Sequence, residues 1–535
     1  MLKNLLIRAF RRIQAGAQQE TSSIEILRRA AALLELGQIE NARRACVALL
    51  AREPGQPDAS NLLGLIALKL QEFELASEHF AEALALRPDV ADYHNNLGTA
   101  LTELWRPEEA LAAYRRATEL DPHHPTAQRN LLYLINLLPE YGAEVRYREH
   151  CRWADRHAPA RVGSQRRYAN ARDPEKTLRV GYVSADLRSH AVGQFIEPVL
   201  AGHDRACVTV VCYSNNANAD DATRRMRQSV SEWRDISGAD DTAVAGLIER
   251  DGIDVLIDLS GHTRGNRLLV FSMKPAPVQV TFLGYPATTG LAAIDYRITD
   301  PVVDPPGSER YYREKLFRLP TGLWCYRPVG DTPDIGGLPA AASGLVTFGS
   351  MNSVIKLNAR VIDTWSKILV AVPESRLLIA TVPKGEPRIR IAEQFAASGI
   401  AETRLEFVER RAPKEFTELF ARIDIALDPF PCGGGTSTCE SLWMGVPVIT
   451  LAGDEFRARA GLSILSCAGL GRLIAYNLDE YVDQSIALAA DIAALSNLRR
   501  NLRRNLLESR FCDVGGYVAA LELAYRTMWR EWCRA

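Results

Sequence analysis

Small and apolar positions recur over the first quarter of the chain with a period of 34 residues. Pro54, Pro88 and Pro122 keep that spacing, as do Ala30, Gly64 and Gly98, and again Ala42, Ala76 and Ala110. Within each period the apolar residues follow helical spacing, so each unit is expected to form two amphipathic helices. Small residues at the Gly64/Gly98 and Ala76/Ala110 positions let paired helices approach closely, and the proline ends each second helix. Two copies are clear, and an earlier one at about 24–57 is degenerate. Residues 126–160 extend the helical pattern as a bridge out of the array.

From about residue 177 the period shortens. Apolar runs bounded by turn residues appear: LRVGYVSAD, VTVVCYSN, IDVLIDLSG, VQVTFLGYP, LVTFGSM, RLLIATV, RLEFV, IDIALDPFP and VPVITL. Helical stretches such as DDTAVAGLIERDG and ARVIDTWSKILVAVP lie between several of them. Buried strands alternating with helices predict parallel, doubly wound sheets. The Pro/Gly-rich segment 327–344 divides them into two Rossmann-like halves, whose strand C-termini converge on a cleft. A last amphipathic helix over about 514–532 is expected to pack back across the halves. The fold class is therefore an α-helical repeat array followed by two Rossmann-like α/β domains. The boundaries expected are 1–20 for a basic amphipathic segment, 21–140 for the repeats, 141–176 for a helical bridge, and 177–330 and 331–535 for the two halves.

Composition narrows the function. The 535 residues are 47% hydrophobic and 24% charged, which fits three or four globular units. The 64 Lys+Arg and 65 Asp+Glu leave a net charge of -1, so a nucleic-acid partner is not expected. The ten cysteines form no C-x-x-C pair and read as free thiols of a reducing cytoplasm. No apolar run is long enough for a spanning helix. The opening MLKNLLIRAFRRIQAG, broken by Arg8, Arg11 and Arg12, reads as an amphipathic surface helix rather than a signal peptide.

The richest segment in chemistry runs from Ile423 to Thr450: strand, glycine-rich turn, helix opening at Thr436, next strand. Gly433, Gly434 and Gly435 let backbone N–H groups approach a ligand. The helix mouth at Thr436, Ser437 and Thr438 suits an anion, and its hydroxyls add donors. Glu440, one turn further, suits the hydroxyls of a ribose better than a phosphate. The pattern is neither a P-loop nor a G-x-G-x-x-G fingerprint. A plain turn with hydroxyl caps would explain the composition as well. Lys356, past the strand LVTFGS, can act as a point charge on a diphosphate. In the first half His190 follows a strand end, where an imidazole can act as base or orienting donor for a hydroxyl. His262 in GHTRG and Tyr285 in GYPATTG are expected on the same rim.

The 34-residue period resembles the tetratricopeptide repeat, which holds peptides or serves as a scaffold. The blocks LRVGYVSADLRSHAVGQFIEPVL, GHTRGNRLLVFSMKPAPVQVTFLGYPATTG, TFGSMNSVIKLN and DPFPCGGGTSTCESLWMGVPVITLAGD resemble the O-GlcNAc transferase / SPINDLY family. That resemblance implies repeats ahead of a two-domain B-type glycosyltransferase. Such an enzyme moves a sugar from a nucleotide diphosphate to Ser/Thr hydroxyls of proteins, with inversion and without a metal or cofactor. It implies His190 as the active-site histidine, Lys356 on the diphosphate, Thr436 and Ser437 as cradle hydroxyls, and Glu440 on the ribose. Phe416 and Lys414 in APKEFTELF fall where the family holds the base, and Arg459 matches in LAGDEFRARAG. Animal members carry a histidine where this chain has Gly435, and the T-S-T-C-E-S-L-W run is closer to SPINDLY, whose plant enzymes use GDP-fucose. UDP-GlcNAc is the donor expected first and GDP-fucose second. A nucleotide-sugar sensor and a transferase acting on a small-molecule or lipid-linked sugar acceptor are the alternatives, and a homo-oligomer is left open.

Overall fold

The computed structural model describes residues 21–158, 168–328 and 332–535. The basic segment expected at 1–20 lies outside the described residues. The chain divides into two compact units, one of residues 1–138 with 382–394 and one of 139–381 with 395–535.

In the first unit helices Thr21–Glu35, Ile39–Arg52, Pro57–Leu70, Phe73–Leu86, Ala91–Glu103, Pro107–Leu120 and Pro125–Leu137 follow one another as the 34-residue period requires. A Cβ on Gly64 would stand 2.5 Å from the Phe80 ring, and one on Gly98 2.7 Å from Tyr114. The recurring glycine is thus a packing requirement. Ala42, Ala76 and Ala110 are fully buried at the matching contacts of the partner helices. The sequence reading passed over a ladder of polar residues 35 apart. Asn96 donates to Asn61 at 2.8 Å, Asn130 to Asn95 at 3.0 Å, and Tyr93 to Asp58 at 2.6 Å.

The second unit holds two parallel sheets. The first has seven strands: β1 (Leu178–Ser184), β2 (Val208–Ser214), β3 (Glu232–Asp235), β4 (Val255–Asp258), β5 (Val278–Thr281), β6 (Tyr296–Thr299) and β7 (Lys315–Arg318). Their order is β3-β2-β1-β4-β5-β6-β7. The second has six: β8 (Val346–Ser350), β9 (Ser375–Ile379), β10 (Leu405–Phe407), β11 (Ile425–Leu427), β12 (Val448–Leu451) and β13 (Ile474–Ala475), ordered β10-β9-β8-β11-β12-β13. In both, the chain reverses direction across the sheet between the first and fourth strands, the place where such folds bind ligands. Helix Val514–Arg534 returns to the first sheet, where the Tyr525 hydroxyl meets that of Tyr182 at 3.0 Å and Tyr296 donates to Glu531 at 2.6 Å.

Two of the expected boundaries need correction. Helix Ala143–His157 is no separate bridge, because its His150 is fully buried in the second unit and bonds Tyr285 at 2.8 Å. Residues 382–394, expected in the last half, group with the repeats, and the Glu386 N–H is held by the Glu74 carboxylate at 2.8 Å.

Candidate active site

The loops leaving β8 and β11 build one constellation. After β11, Asp428 turns inward, and the Thr438 hydroxyl donates to its two oxygens at 3.2 and 3.0 Å. The Asn352 amide reaches the same carboxylate at 3.4 Å. Burial pushes Asp428 above the usual carboxylate range, while Lys356 and the hydroxyl of Thr438 pull it back down. Between Asp428 and the helix Thr436–Trp443 the glycine turn is tight. A Cβ on Gly434 would fall 2.2 Å from the Thr438 hydroxyl and 2.7 Å from Asp428, whereas one on Gly435 would meet nothing within 4 Å. Gly435 occupies the N-cap position of that helix with no side-chain cap. The helix therefore opens with backbone N–H groups and its positive dipole end toward the turn.

Lys356 ends a short 3-10 turn, Val354–Lys356, and its ammonium donates to the Asn352 side-chain oxygen at 3.0 Å and to the Gly433 carbonyl at 2.8 Å. Ser437 donates to the same Asn352 oxygen at 3.0 Å. Lysine, glycine turn and helix mouth are thus tied through Asn352. That residue was missed in the sequence, although it stands four positions before Lys356 in the same strand-end loop. A fixed cation beside uncapped amides is an anion cradle.

The facing lobe supplies helix Ala191–Gly202, whose N-cap is His190. The His190 Nδ1 accepts the Val192 N–H at 3.3 Å, so the neutral ring carries its hydrogen on Nε2. Burial holds its pKa below the ordinary histidine value; Arg188 adds to that effect and Asp186 opposes it. One turn on, the Gln194 amide donates to Glu440 at 3.0 Å and links the His190 helix to the cradle helix. Burial raises the pKa of Glu440 and the Gln194 bond only partly offsets it.

Four expectations are corrected. His262 is 1% exposed; its Nε2 faces the Thr289 carbonyl at 2.8 Å, and its ring packs 4.5 Å from Trp153 and 5.0 Å from His150. Tyr285 is 3% exposed in the same cluster, with its hydroxyl on His150. Neither stands on an open rim. The loops stack because Gly261 and Gly284 lack side chains: a Cβ on Gly261 would lie 2.4 Å from Tyr285, and one on Gly284 1.9 Å from the Leu259 carbonyl. Thr438 spends its hydroxyl on Asp428 and so is a support of the cradle rather than a donor to a ligand. Arg459 donates to the carbonyls of Val302 at 2.6 Å and Gly453 at 2.8 Å, which makes it a strut between the lobes.

Phe416 and Lys414 lie on the short helix Pro413–Glu418 after β10, Phe416 edge-on to Phe420 at 6.1 Å and Lys414 exposed. Glu455 pairs with Arg146 and with Arg457, and Phe456 packs against Trp324 and under the Arg297 guanidinium. Both residues thus have structural work at the lobe junction. Among the described residues no helix is long and apolar enough to cross a membrane.

Comparison with known proteins gives the family and the fold. Residues 162–335 and 329–521 match the model of glycosyl transferase family 41, and residues 27–91 and 66–125 match a tetratricopeptide repeat model. Over 426 residues the chain is 41% identical to the "Probable UDP-N-acetylglucosamine--peptide N-acetylglucosaminyltransferase SPINDLY" of Petunia hybrida, covering 78% of this chain and 45% of the relative. Over 372 residues it is 34% identical to the corresponding SEC protein of Arabidopsis thaliana, covering 67% of this chain and 38% of the relative. The chain spans less than half the length of these curated relatives. A solved structure of a mutant O-GlcNAc transferase from Thermobaculum terrenum superposes with a TM-score of 0.88 at 36% identity, covering 97% of this chain and 99% of that one. The family model spans both α/β lobes and their site, and the chain belongs to glycosyl transferase family 41.

Proposed function

We propose that the protein is an inverting protein O-glycosyltransferase that takes a sugar from a nucleotide diphosphate, UDP-GlcNAc first, to Ser/Thr hydroxyls. The observation that carries this reading is the uncapped helix mouth at Gly435 beside the Lys356 ammonium, linked through Glu440 and Gln194 to the helix that His190 caps. The diphosphate sits on the amides of the Gly435–Ser437 helix mouth and against Lys356. Negative charge grows on the leaving phosphate as the glycosidic bond breaks, and fixed dipoles and an ammonium stabilise it without reorganising. That supply of positive charge lets the reaction run without a divalent cation or cofactor. The acceptor hydroxyl attacks the anomeric carbon from the opposite face. His190, with Nδ1 occupied by the Val192 N–H, offers an Nε2–H that orients the acceptor or the sugar. Glu440 accepts ribose hydroxyls, and Phe416 and Lys414 border the base. The repeats recruit the protein acceptor, and the ten free cysteines suit a reducing compartment such as the cytoplasm.

The test is intact-mass measurement of Ser/Thr-containing proteins incubated with the chain and UDP-GlcNAc or GDP-fucose in EDTA. A mass increase of one N-acetylhexosamine supports the reading, and one deoxyhexose moves the donor to GDP-fucose. Tight nucleotide binding with no transfer to any protein replaces the enzyme with a nucleotide-sugar sensor.

A further inference from the structure

The side chain of Gln194 is only half accounted for by its known contact. Its Nε2 donates to the Glu440 carboxylate at 3.0 Å, but its Oε1 is buried without a hydrogen-bond partner among the described residues. Rotating the amide by half a turn would set its carbonyl against the carboxylate, so the chemistry of Glu440 fixes the orientation. A buried acceptor left without a donor is unfavourable and calls for an explanation. Glu440 is in a similar position, a half-buried carboxylate whose pKa is raised by desolvation and whose one hydrogen-bond partner among the described residues is the Gln194 amide. Two side chains from opposing lobes therefore meet with unused acceptor capacity on both. Such a pair asks for a ligand that brings two neighbouring O–H donors.

Position identifies which donors. Gln194 stands one helical turn beyond His190 on the same face of its helix. Glu440 stands one turn beyond Thr436 and Ser437, at the mouth where the diphosphate is proposed to lie. The group joined directly to that diphosphate on the nucleoside side is the pentose, which carries vicinal hydroxyls. Both side chains are only partly buried as residues, so a rotation about the long Gln194 stem brings its carbonyl to an incoming hydroxyl while the amide stays on Glu440.

We infer that Gln194 is a specificity-determining residue that, together with Glu440, reads the ribose hydroxyls of the donor, so that the nucleotide is held by both lobes at once. This rests on the donor site proposed above. It makes the cross-lobe contact the point at which ribo- and deoxyribonucleotides are told apart.

Calorimetric binding of UDP, GDP and their 2′-deoxy counterparts to the full chain tests it. Wild type is expected to bind the ribonucleotide about tenfold tighter than the deoxy form. In Gln194→Ala the ribonucleotide should weaken by roughly that factor while the deoxy form stays within about twofold, which collapses the ratio. Gln194→Met keeps the length and the packing, so it should show the same collapse with an unchanged melting temperature. An unchanged ratio in both variants overturns the inference while leaving the donor site standing, as does equal weakening of both nucleotide forms. If neither UDP nor GDP binds wild type, the donor site itself is wrong and the inference falls with it.

Discussion

The two lobes of the second unit are built on one plan and put it to opposite uses. Each sheet places its fourth strand beside its first, and each fourth strand is framed by a pair of buried aspartates, Asp254 and Asp258 around β4 and Asp424 and Asp428 around β11. The leading aspartate does the same job in both: Asp254 accepts the Arg179 N–H and Asp424 the Thr347 N–H, each at 2.8 Å. The trailing aspartates diverge. Asp258 is satisfied locally, by the N–H groups of Ser260 and Gly261 and by the Thr281 hydroxyl, and its loop folds down over His262 and Tyr285. Asp428 reaches across to Thr438 and Asn352, and so holds a helix mouth beside Lys356. The same switch point is filled in one lobe and kept as a cradle in the other. The fold provides the place, and a few residues after the fourth strand decide whether it becomes a site.

The sharpest way to break that contrast is Lys356→Ala. If Lys356 holds the leaving phosphate as proposed, its loss should cost about 10²–10³ in turnover with the melting temperature little changed. Transfer within a few-fold of wild type would remove Lys356 from the chemistry. On the filled side, His262→Ala should instead act on stability, by about 2–4 kcal/mol, since it opens a hole among Trp153, His150 and Tyr285 and leaves the Thr289 carbonyl without its partner. Denaturant melts measure that loss. A fully stable variant that no longer turns over would mean that this switch point is also functional.

Adjacent glycines sharpen the comparison within the cradle. Gly434→Ala drives a methyl into Thr438 and Asp428 and should weaken nucleotide binding at least about tenfold, or roughly 1.4 kcal/mol. Gly435→Ala places its methyl in open space and should bind within about twofold of wild type. Equal effects at the two positions would show that the turn is not held in the form described.

How much of this could be seen in the chain alone follows from what each residue does. The repeats were legible because a glycine facing Phe80 or Tyr114 recurs at a fixed period. The central strands were legible as apolar runs except β6 (YRIT), where Arg297 and the short length break the apolar pattern although the strand is buried throughout. β3 (EWRD) and β7 (KLFR) were not, because edge strands need no apolar face on both sides; β13 is two residues long. The cradle could be read from its glycines and hydroxyls, but which hydroxyl points inward could not: Thr438 and Ser437 differ only in the side of the helix they occupy. His262, Tyr285 and Arg459 were misplaced for a common reason. A polar residue after a strand looks alike whether it meets solvent, a buried ring or a backbone carbonyl. Asn352 and Gln194 escaped because neutral amides carry no motif, and their importance lies in what they connect.

The smallest expected effect concerns His190 and separates its two duties. Its folded pKa lies below the ordinary value of about 6.5, because burial and Arg188 disfavour the charged ring. A depressed folded pKa means that the unfolded chain binds the proton first. The contribution to stability is therefore full above about pH 6.5 and is lost as pH falls through the folded value. Protonation also puts a hydrogen on Nδ1, which must then release the Val192 N–H and uncap its helix. His190→Asn keeps an N-cap acceptor and removes the titration. Denaturant melts at pH 7.5 and 5.5 should show wild type losing more stability than the variant between the two. At pH 7.5 the two should have similar stability while the variant turns over more slowly, because the capping duty survives the substitution and the Nε2–H does not. A variant that loses as much stability as wild type on acidification would place the acid-sensitive group elsewhere and leave His190 a simple cap.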